Sequence, residues 1–386
     1  MDQGLGRPLA WYFLRLGAVG FGGPVALVAR MREDLVERRA WVSDEEFRDG
    51  VALAQVAPGP LAAQLAMYLG WLADGTRGAT VVGTAFVLPS LLIVLALAAA
   101  YQAAGGLTLL GTLFYGVGAA VIAVLARAGV RLARSTVRRD RLLWIVVGVN
   151  AFGAVILQQE SVPLVLASGL FVMLARTARR DPEGDASRAA PGLVAAPIAV
   201  LAQTAGGLAT ASLPALFVFF ATAGLVVFGS GLAVVPFLHG GVVLERHWLT
   251  EQQFLDAVAV SLLTPGPVVI TVAFIGFLVA GTAGGLVAAA GVFLPAFVVV
   301  LIVAPRFQRI QQDGRAQTFA AGVTAAAVGA LLGAVVVIAT RTLVDLPAVA
   351  IATAALVLLL ARPKVPEPLV LAAAALAGGA IRGLAR

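Results

Sequence analysis

The sequence has no cysteine and only two histidines, His239 and His247, in 386 residues. The lack of cysteine excludes disulfides, thiolate metal sites and thiol redox chemistry, and two histidines are too few for a histidine-rich metal centre. Charged residues are also scarce, at 12% of the chain, against about 25% in soluble globular proteins. Because cysteine is missing and histidine is scarce, we predict neither a metal nor another cofactor.

Hydrophobic residues take the place of the missing charges. They make up 60% of the chain, and the mean hydropathy is +0.98. A run of roughly 20 apolar residues can cross a ~30 Å hydrocarbon core as a helix. Such runs predict an all-α polytopic membrane protein, with a retained first segment rather than a cleaved signal peptide. They lie at about 8–29, 78–104, 106–126, 142–157, 161–175, 212–238, 284–304, 318–340, 345–361 and 367–381.

The net charge of +7 arises mainly from arginines in the short loops between these runs. Lys and Arg in short loops mark the cytoplasmic side of a membrane protein. The basic balance therefore indicates membrane topology rather than a nucleic-acid-binding surface. We expect the lipid bilayer as a partner, and no nucleic acid.

The most hydrophilic stretch, at 178–192, has the Pro, Gly and charge content of a linker and divides the chain into halves at 1–177 and 193–386. The two halves are homologous, because identical residues recur 207 positions apart (41 and 248), and then 206 apart after one deletion. The matches include Phe21-Gly22 with Phe228-Gly229, Arg39 with Arg246, Trp41 with Trp248, Asp49 with Asp256, Gly70 with Gly276, and Leu88-Pro89 with Leu294-Pro295.

In each pair of equivalent loops, one loop is rich in basic residues and the other has few or none, and the basic loop alternates between the halves. Loops 30–39 and 127–141 are rich in arginine, whereas their counterparts have only Arg246 and Arg341. Conversely, loops 101–106 and 158–161 have no basic residue, whereas their counterparts near 306–315 and 362–364 do. Homologous halves with opposite charge asymmetry predict an inverted-topology repeat, the architecture of many secondary transporters. We expect about nine or ten crossing helices, with the 178–192 linker in the cytoplasm.

The same helix-breaking Pro-Gly-Pro stands at 58–60 and 265–267. Too few apolar residues precede each one for a crossing helix, so residues 45–73 and 252–280 are predicted to form two re-entrant hairpins with Pro-Gly-Pro at their tips. A helix that starts at such a tip points its free N–H groups and its positive dipole end into the membrane interior, where it attracts anions. A proline kink used only for packing is the alternative.

Uncharged hydrogen-bonding groups and further glycines lie near these tips, which suits an oxyanion. Arg15 is the arginine within an apolar run, and it either contacts a dianion or extends to the membrane surface. Asp49 and Asp256 could couple proton movement to transport, although solvated surface acids are the favoured interpretation. The candidate substrate-binding residues are Arg15, Gly22, Gly23, Pro24, Gln55, Pro58, Gly59, Pro60, Gln64, Gly229, Ser230, Gly231, Thr264, Pro265, Gly266, Pro267 and Thr271.

Four stretches also carry a family resemblance: "FGGPVALVARMREDLVERRAWVSDEEF", "APGPLAAQLAMYLGW", "FVFGSGLAVVPFLHGGVV" and "TPGPVVITVAFIGFLVAG". In this order they resemble the chromate ion transporter family, in its long form with two fused homologous domains. The resemblance implies export of chromate from the bacterial cytoplasm across the cytoplasmic membrane, and hence chromate resistance, with sulfate as a similar oxyanion. It maps the family's glycine-proline motifs onto part of the candidate set, namely Gly22, Gly23, Pro24, Pro58, Gly59, Pro60, Gln64, Gly229, Ser230, Gly231, Pro265, Gly266 and Pro267. One departure is Leu61, since many members have an acid there.

These observations predict a secondary transporter that exports chromate, a tetrahedral oxyanion, held at the helix N-termini of the two hairpins. The alternatives are a permease for sulfate or another oxyanion, and an anion channel. A membrane-embedded reductase or hydrolase is disfavoured, because cysteine, histidine clusters and paired intramembrane carboxylates are missing. We therefore predict that the protein is not an enzyme, and a homodimer is a candidate assembly.

Overall fold

A computed structural model describes residues 6–103, 108–158, 161–180, 212–226, 231–307, 314–363 and 365–384. Within these ranges the regular secondary structure is helical throughout. The first half contains α1 (Gly6–Val19), α2 (Gly23–Arg32), α3 (Asp44–Val56), α4 (Leu61–Ala103), α5 (Thr108–Val137), α6 (Arg141–Leu157) and α7 (Val162–Arg180). The second contains α8 (Leu213–Val226), α9 (Val235–His239), α10 (Glu251–Leu263), α11 (Thr271–Val303), α12 (Gly314–Thr342), α13 (Leu346–Ala361) and α14 (Glu367–Leu384). The prediction of an all-α polytopic membrane protein is confirmed.

Four of these helical segments are long and apolar enough to cross a membrane. Shorter apolar stretches of 10–17 residues occur in six other helical segments of the described ranges. The number of crossing helices, predicted as nine or ten, therefore stays a prediction. The four long segments are Leu61–Ala103, Phe114–Val137, Val268–Arg306 and Gly314–Thr342.

Two of the long segments are each composed of two helices. In α4 the backbone leaves helical geometry at Asp74 and Gly75, where Gly75 has a left-handed φ of 51°. In α11 it does so at Ala280 and Gly281, where Gly281 has a φ of 61°. Each segment therefore begins with a short arm that ends in a sharp turn, and a longer helix follows.

The apolar run 8–29, which is one of the candidate crossing segments, is interrupted in the structure. Helix α1 ends at Val19, and α2 begins at Gly23 after two glycines in left-handed geometry, Gly22 (φ 113°) and Gly23 (φ 73°). At 1.5 Å per residue, the 14 residues of α1 span about 21 Å, which is shorter than the hydrocarbon core. The glycine-rich motif is thus a break between two helices rather than part of a single span.

Equivalent positions of the two halves share unusual backbone geometry. A π-helical turn occurs at Glu33–Arg38 and again at Gly240–Glu245. Ala40 (φ 49°) and His247 (φ 51°) are both left-handed, although neither is glycine. These features are uncommon outside functional or constrained segments, so their recurrence 207 residues apart shows that the local structure repeats along with the sequence.

Side-chain interactions recur in the same way. The Arg39 guanidinium lies 4.6 Å from the ring centroid of Trp41, and that of Arg246 lies 5.4 Å from the ring of its counterpart Trp248. Capping boxes start α3 at Ser43 and α10 at Thr250. Cation–π contacts and capping boxes each stabilise such local structure by roughly 0.5–2 kcal/mol. They fix the entry into each hairpin.

The helices that follow the hairpins pack mainly against the other half. Helix α5 packs against α13 and α14, while α12 packs against α6 and α7. Helices α4 and α11 contact each other directly. Most of the buried hydrophobic residues belong to one cluster that includes the hairpins. The two halves therefore interlock around the hairpins instead of forming separate bundles.

Candidate functional site

The first hairpin consists of α3 and the first arm of α4. Helix α3 has 13 residues and ends at Val56, and Ala57 is extended. The arms lie against each other at Gly50, where an added Cβ would be 2.6 Å from the Tyr68 ring and 2.8 Å from Leu65. Glycine at this position permits the close approach. Helix α4 starts at Leu61, one residue after Pro60.

The second hairpin has the same construction. Helix α10 also has 13 residues, and its C-cap Thr264 is extended. After Pro267 the chain makes a 3-10 turn over Val268–Ile270, and α11 then continues from Thr271. The helical segments after the two breaks therefore begin at Leu61 and Val268.

Both Pro-Gly-Pro tips are buried inside the protein. Residues 57–60 and 264–267 are all buried, and the first turns that follow them are buried as well. The amides of a first helical turn have no acceptor within their own helix. Leu61 and Val268 are only 7% and 6% exposed. Each tip thus places the positive end of a helix among apolar side chains.

Each tip rests on the long helix of the opposite half. A Cβ added to Gly59 would be 2.9 Å from the Ala296 methyl group, next to Pro295 of α11. A Cβ added to Gly266 would be 2.6 Å from the Ser90 hydroxyl, next to Pro89 of α4. Each half therefore provides the helix surface that covers the tip of the other half.

The second tip also contacts the first glycine-rich motif. The Gly266 amide donates a hydrogen bond of 2.8 Å to the Gly20 carbonyl. This amide closes a contact between the halves. It precedes Pro267, so it is not one of the first-turn amides of the helix that follows the tip. In the second half, Gly231 lies against Val269, directly behind the same tip.

Polar side chains at the tips bond within their own hairpins. The Gln64 amide group, which is 0% exposed, donates to the Pro58 carbonyl at 2.7 Å, while its buried side-chain oxygen lacks a protein partner. The Thr264 hydroxyl donates to the Ser261 carbonyl and that of Thr271 to the Val268 carbonyl. The hydroxyls thus stabilise the tips, and the Gln64 oxygen is an unused acceptor.

Other candidate residues are exposed or only partly buried. Arg15, Gly22 and Gln55 are exposed, and Gly23 and Pro24 are half-buried. Gly229 and Ser230 fall outside the described residues. The structure therefore brings together the Pro-Gly-Pro tips, Gln64 and Gly231, but it places the Arg15 side chain on the outer face of α1.

Sequence reasoning missed Gly20, Ser90 and Ala296 as contacts of the tips. A signal for two of them was present, since Ser90 and Ala296 follow the repeated Leu-Pro pairs at 88–89 and 294–295. The repeat marks both prolines, but contacts between residues about 200 positions apart do not follow from local sequence.

Asp49 and Asp256, which are repeat-equivalent, differ in their surroundings. Asp49 is half-buried, whereas Asp256 is 2% exposed. The interpretation of both as solvated surface acids is therefore wrong for Asp256. Asp256 belongs to α10, and its side chain is buried below the surface of the protein.

Replacement of Gln64 by leucine should strongly reduce anion transport while the protein still inserts. The change leaves the Pro58 carbonyl buried without its donor, which costs about 1–3 kcal/mol, and it loosens the tip at the helix start. Anion uptake into vesicles, normalised to inserted protein, measures the effect. Gln102→Leu is the matched control, because Gln102 is exposed at the end of α4. Equal uptake by both variants would contradict a role for the Gln64 bond.

The chain is similar to proteins of known family. The family model described as "Chromate transporter" matches it twice, at residues 7–174 and 214–379. The chain belongs to the chromate transporter family. The two matches include both Pro-Gly-Pro tips and most of the described helices. No solved structure matches the chain.

Individual chromate transporter relatives cover nearly the same length. The "Chromate transport protein" of Cupriavidus metallidurans is 50% identical over 96% of this chain and 92% of the relative. The "Probable chromate transport protein" of Synechococcus elongatus is 49% identical over 96% of this chain and 94% of the relative. A "Chromate transport protein" of Pseudomonas aeruginosa is 35% identical over 83% of this chain and 78% of the relative. This family of transporters, rather than an enzyme family, therefore provides the functional context.

Proposed function

We propose that this multi-pass membrane protein is a secondary transporter that exports chromate across the bacterial cytoplasmic membrane. The observation that carries the proposal is the pair of buried helix starts at Leu61 and Val268, each behind a Pro-Gly-Pro tip that reaches into the other half. Relatives that share about half of its residues are named chromate transport proteins, which supports the choice of anion.

The chemistry of the tips suits a tetrahedral dianion. Each chromate oxygen accepts hydrogen bonds, and first-turn amides together with the helix dipole supply donors and partial positive charge. Such a site holds an anion without a fixed cation, so binding remains weak enough for release. The described tips offer backbone amides rather than lysine or arginine, which is consistent with repeated loading and unloading.

Contacts between the halves support the inverted orientation. Arg127 of α5 donates to the Pro363 carbonyl at 2.8 Å and lies 3.8 Å from Glu367, so the C-terminal part of α5 and the segment at Arg362 and Pro363 lie toward the same end. At the other end Arg341 bonds Gln158, which brings together two loops that are poor in basic residues. This grouping agrees with the predicted cytoplasmic and external faces.

The packing of each tip on the other half also suggests how access alternates. Because each tip rests on the proline segment of α4 or α11 from the opposite half, tilting of either long helix changes the enclosure of both tips. In transporters built from inverted repeats, alternating access is largely such rigid-body movement around a fixed site. The anion would then face first one side of the membrane and then the other.

Chromate uptake into everted membrane vesicles tests this proposal, because export from the cell becomes uptake in that orientation. We expect saturable uptake, competition by sulfate and molybdate according to their affinity, and loss of accumulation with an uncoupler. Saturable uptake of sulfate without chromate uptake would indicate a sulfate permease. Flux that does not saturate and needs no counter-ion would indicate a channel. Vesicles without the protein provide the baseline.

A further inference from the structure

Asp256 is the buried carboxylate of a hydrogen-bond network that joins the two halves. The Tyr101 hydroxyl, on α4, donates to one carboxylate oxygen at 2.7 Å. The Gln252 side chain, on α10, donates to the other oxygen at 2.7 Å. Gln252 also donates to the Phe114 carbonyl of α5 at 3.3 Å. The network therefore ties the second hairpin to α4 and α5.

The surroundings of this network are apolar. The Tyr101 ring lies edge-on to Phe114 and Phe274, with centroid distances of 5.6 and 5.4 Å. Phe274 belongs to α11, one turn after Thr271 and hence close behind the second tip. The tyrosine that holds the carboxylate therefore packs directly against the helix that follows the second tip.

No cation contacts Asp256 among the residues that the structure describes. Two cationic side chains on neighbouring elements have other partners: His239 of α9 contacts Glu251 at 2.7 Å, and Arg127 of α5 pairs with Glu367 of α14. Arg306, at the end of α11, donates to the Ile302 carbonyl. The carboxylate is therefore held by neutral donors, without the fixed positive charge that would keep a buried acid ionised.

The first half lacks this arrangement. The repeat counterpart of Tyr101 is Phe307, which has no hydroxyl, and that of Gln252 is Glu45. Asp49, the counterpart of Asp256, is half-buried. Of this repeat-equivalent pair of acids, Asp256 alone is buried.

On these grounds we propose that Asp256 binds and releases the proton that is exchanged for the exported oxyanion, and that Tyr101 holds its ionised form. The inference rests on the proposed transport function. Protonation of one carboxylate oxygen removes its negative charge and converts a charge-assisted hydrogen bond into a neutral one, which is roughly half as strong. The tie between α10 and α4 weakens, and the second hairpin becomes able to move relative to α4.

The position of Asp256 gives the proton a route and a direction. Gln252 is exposed while it contacts the carboxylate, and Tyr101 lies near the end of α4, so the network is just below one surface of the protein. In the orientation proposed above, this is the external surface. One proton binds from outside as an oxyanion is released there, and it leaves toward the cytoplasm in the opposite conformation.

Purified full-length protein in liposomes tests the assignment with two assays. Chromate counterflow, at equal pH on both sides, reports anion exchange alone. Proton movement on addition of chromate, followed with an entrapped pH dye, reports coupling. For Asp256→Asn we expect counterflow to persist and the proton signal to fall to the level of empty liposomes. Asp49→Asn is the matched control and should retain both activities.

The outcomes separate the two proposals. Absence of counterflow in the unmodified protein would overturn chromate transport itself. Persistence of both counterflow and the full proton signal in Asp256→Asn would overturn the role of Asp256. If Asp256→Asn is not monodisperse in detergent, Tyr101→Phe provides the test, because it keeps the buried ring and removes only the hydroxyl. It should shift the pH dependence of the proton signal, and an unchanged pH profile would contradict the proposal.

Discussion

Gly266→Ala should abolish chromate transport, and Gly59→Ala should do the same. Gly266 has a φ of 98° and Gly59 a φ of 141°, and side chains are strained by about 1–2 kcal/mol in left-handed geometry. In addition, the new Cβ would lie 2.6 Å from the Ser90 hydroxyl at position 266 and 2.9 Å from the Ala296 methyl group at position 59. Both tips must shift away from the opposite half, so the helix starts lose their alignment.

Vesicle uptake normalised to inserted protein measures this effect. Gly281→Ala is an informative control, because Gly281 is also left-handed, with a φ of 61°, yet no atom lies within 4 Å of its added Cβ. It carries the backbone strain without the clash. If Gly59→Ala and Gly266→Ala both transported chromate at the unmodified rate, the tips would be removed from the transport mechanism.

Gly276→Ala should lower thermal stability substantially. The arm of the second hairpin crosses the following helix where Gly276 meets the backbone of Gly284, and an added Cβ would strike the Gly284 carbonyl and come within 2.6 Å of Ala288. Backbone cannot yield as a flexible side chain does, so overpacking should cost about 1–3 kcal/mol. Small residues provide this kind of close approach between membrane helices. Gly70→Ala tests the equivalent crossing with Gly78 in the first half.

The unfolding temperature of the purified protein in detergent reports this change. We expect a fall of several degrees in either variant. Gly148→Ala is the control, because no atom lies within 4 Å of a Cβ added at this position of α6. A fall in the control as large as in Gly276→Ala would show that helix composition, rather than the close crossing, determines the stability.

Local sequence predicted much of this architecture because its signals are local. Apolar runs predicted the helices, and Pro-Gly-Pro predicted the breaks before Leu61 and Val268. The glycine-rich interruption near Gly22 was also visible, but hydropathy alone counted 8–29 as one span. Hydropathy averaged over a run does not detect the two left-handed glycines, Gly22 and Gly23, that separate α1 from α2.

Contacts between distant residues were not predictable in the same way. The Gly266 amide bonds the Gly20 carbonyl, and Asp256 accepts from Tyr101. Both contacts depend on how the halves pack, whereas the residues next to Asp256 in sequence resemble those next to Asp49. The same residue type at repeat-equivalent positions therefore does not show that Asp256 is buried while Asp49 is half-buried.

The packing of each tip on the other half imposes an order on biosynthesis. The neighbour of Gly59 is Ala296, which leaves the ribosome roughly 240 residues later. At about 5–20 residues per second, this delay is on the order of 10–50 s. During that interval the first tip lacks the surface that covers it in the folded protein, so the first hairpin completes its packing only after α11 has been made.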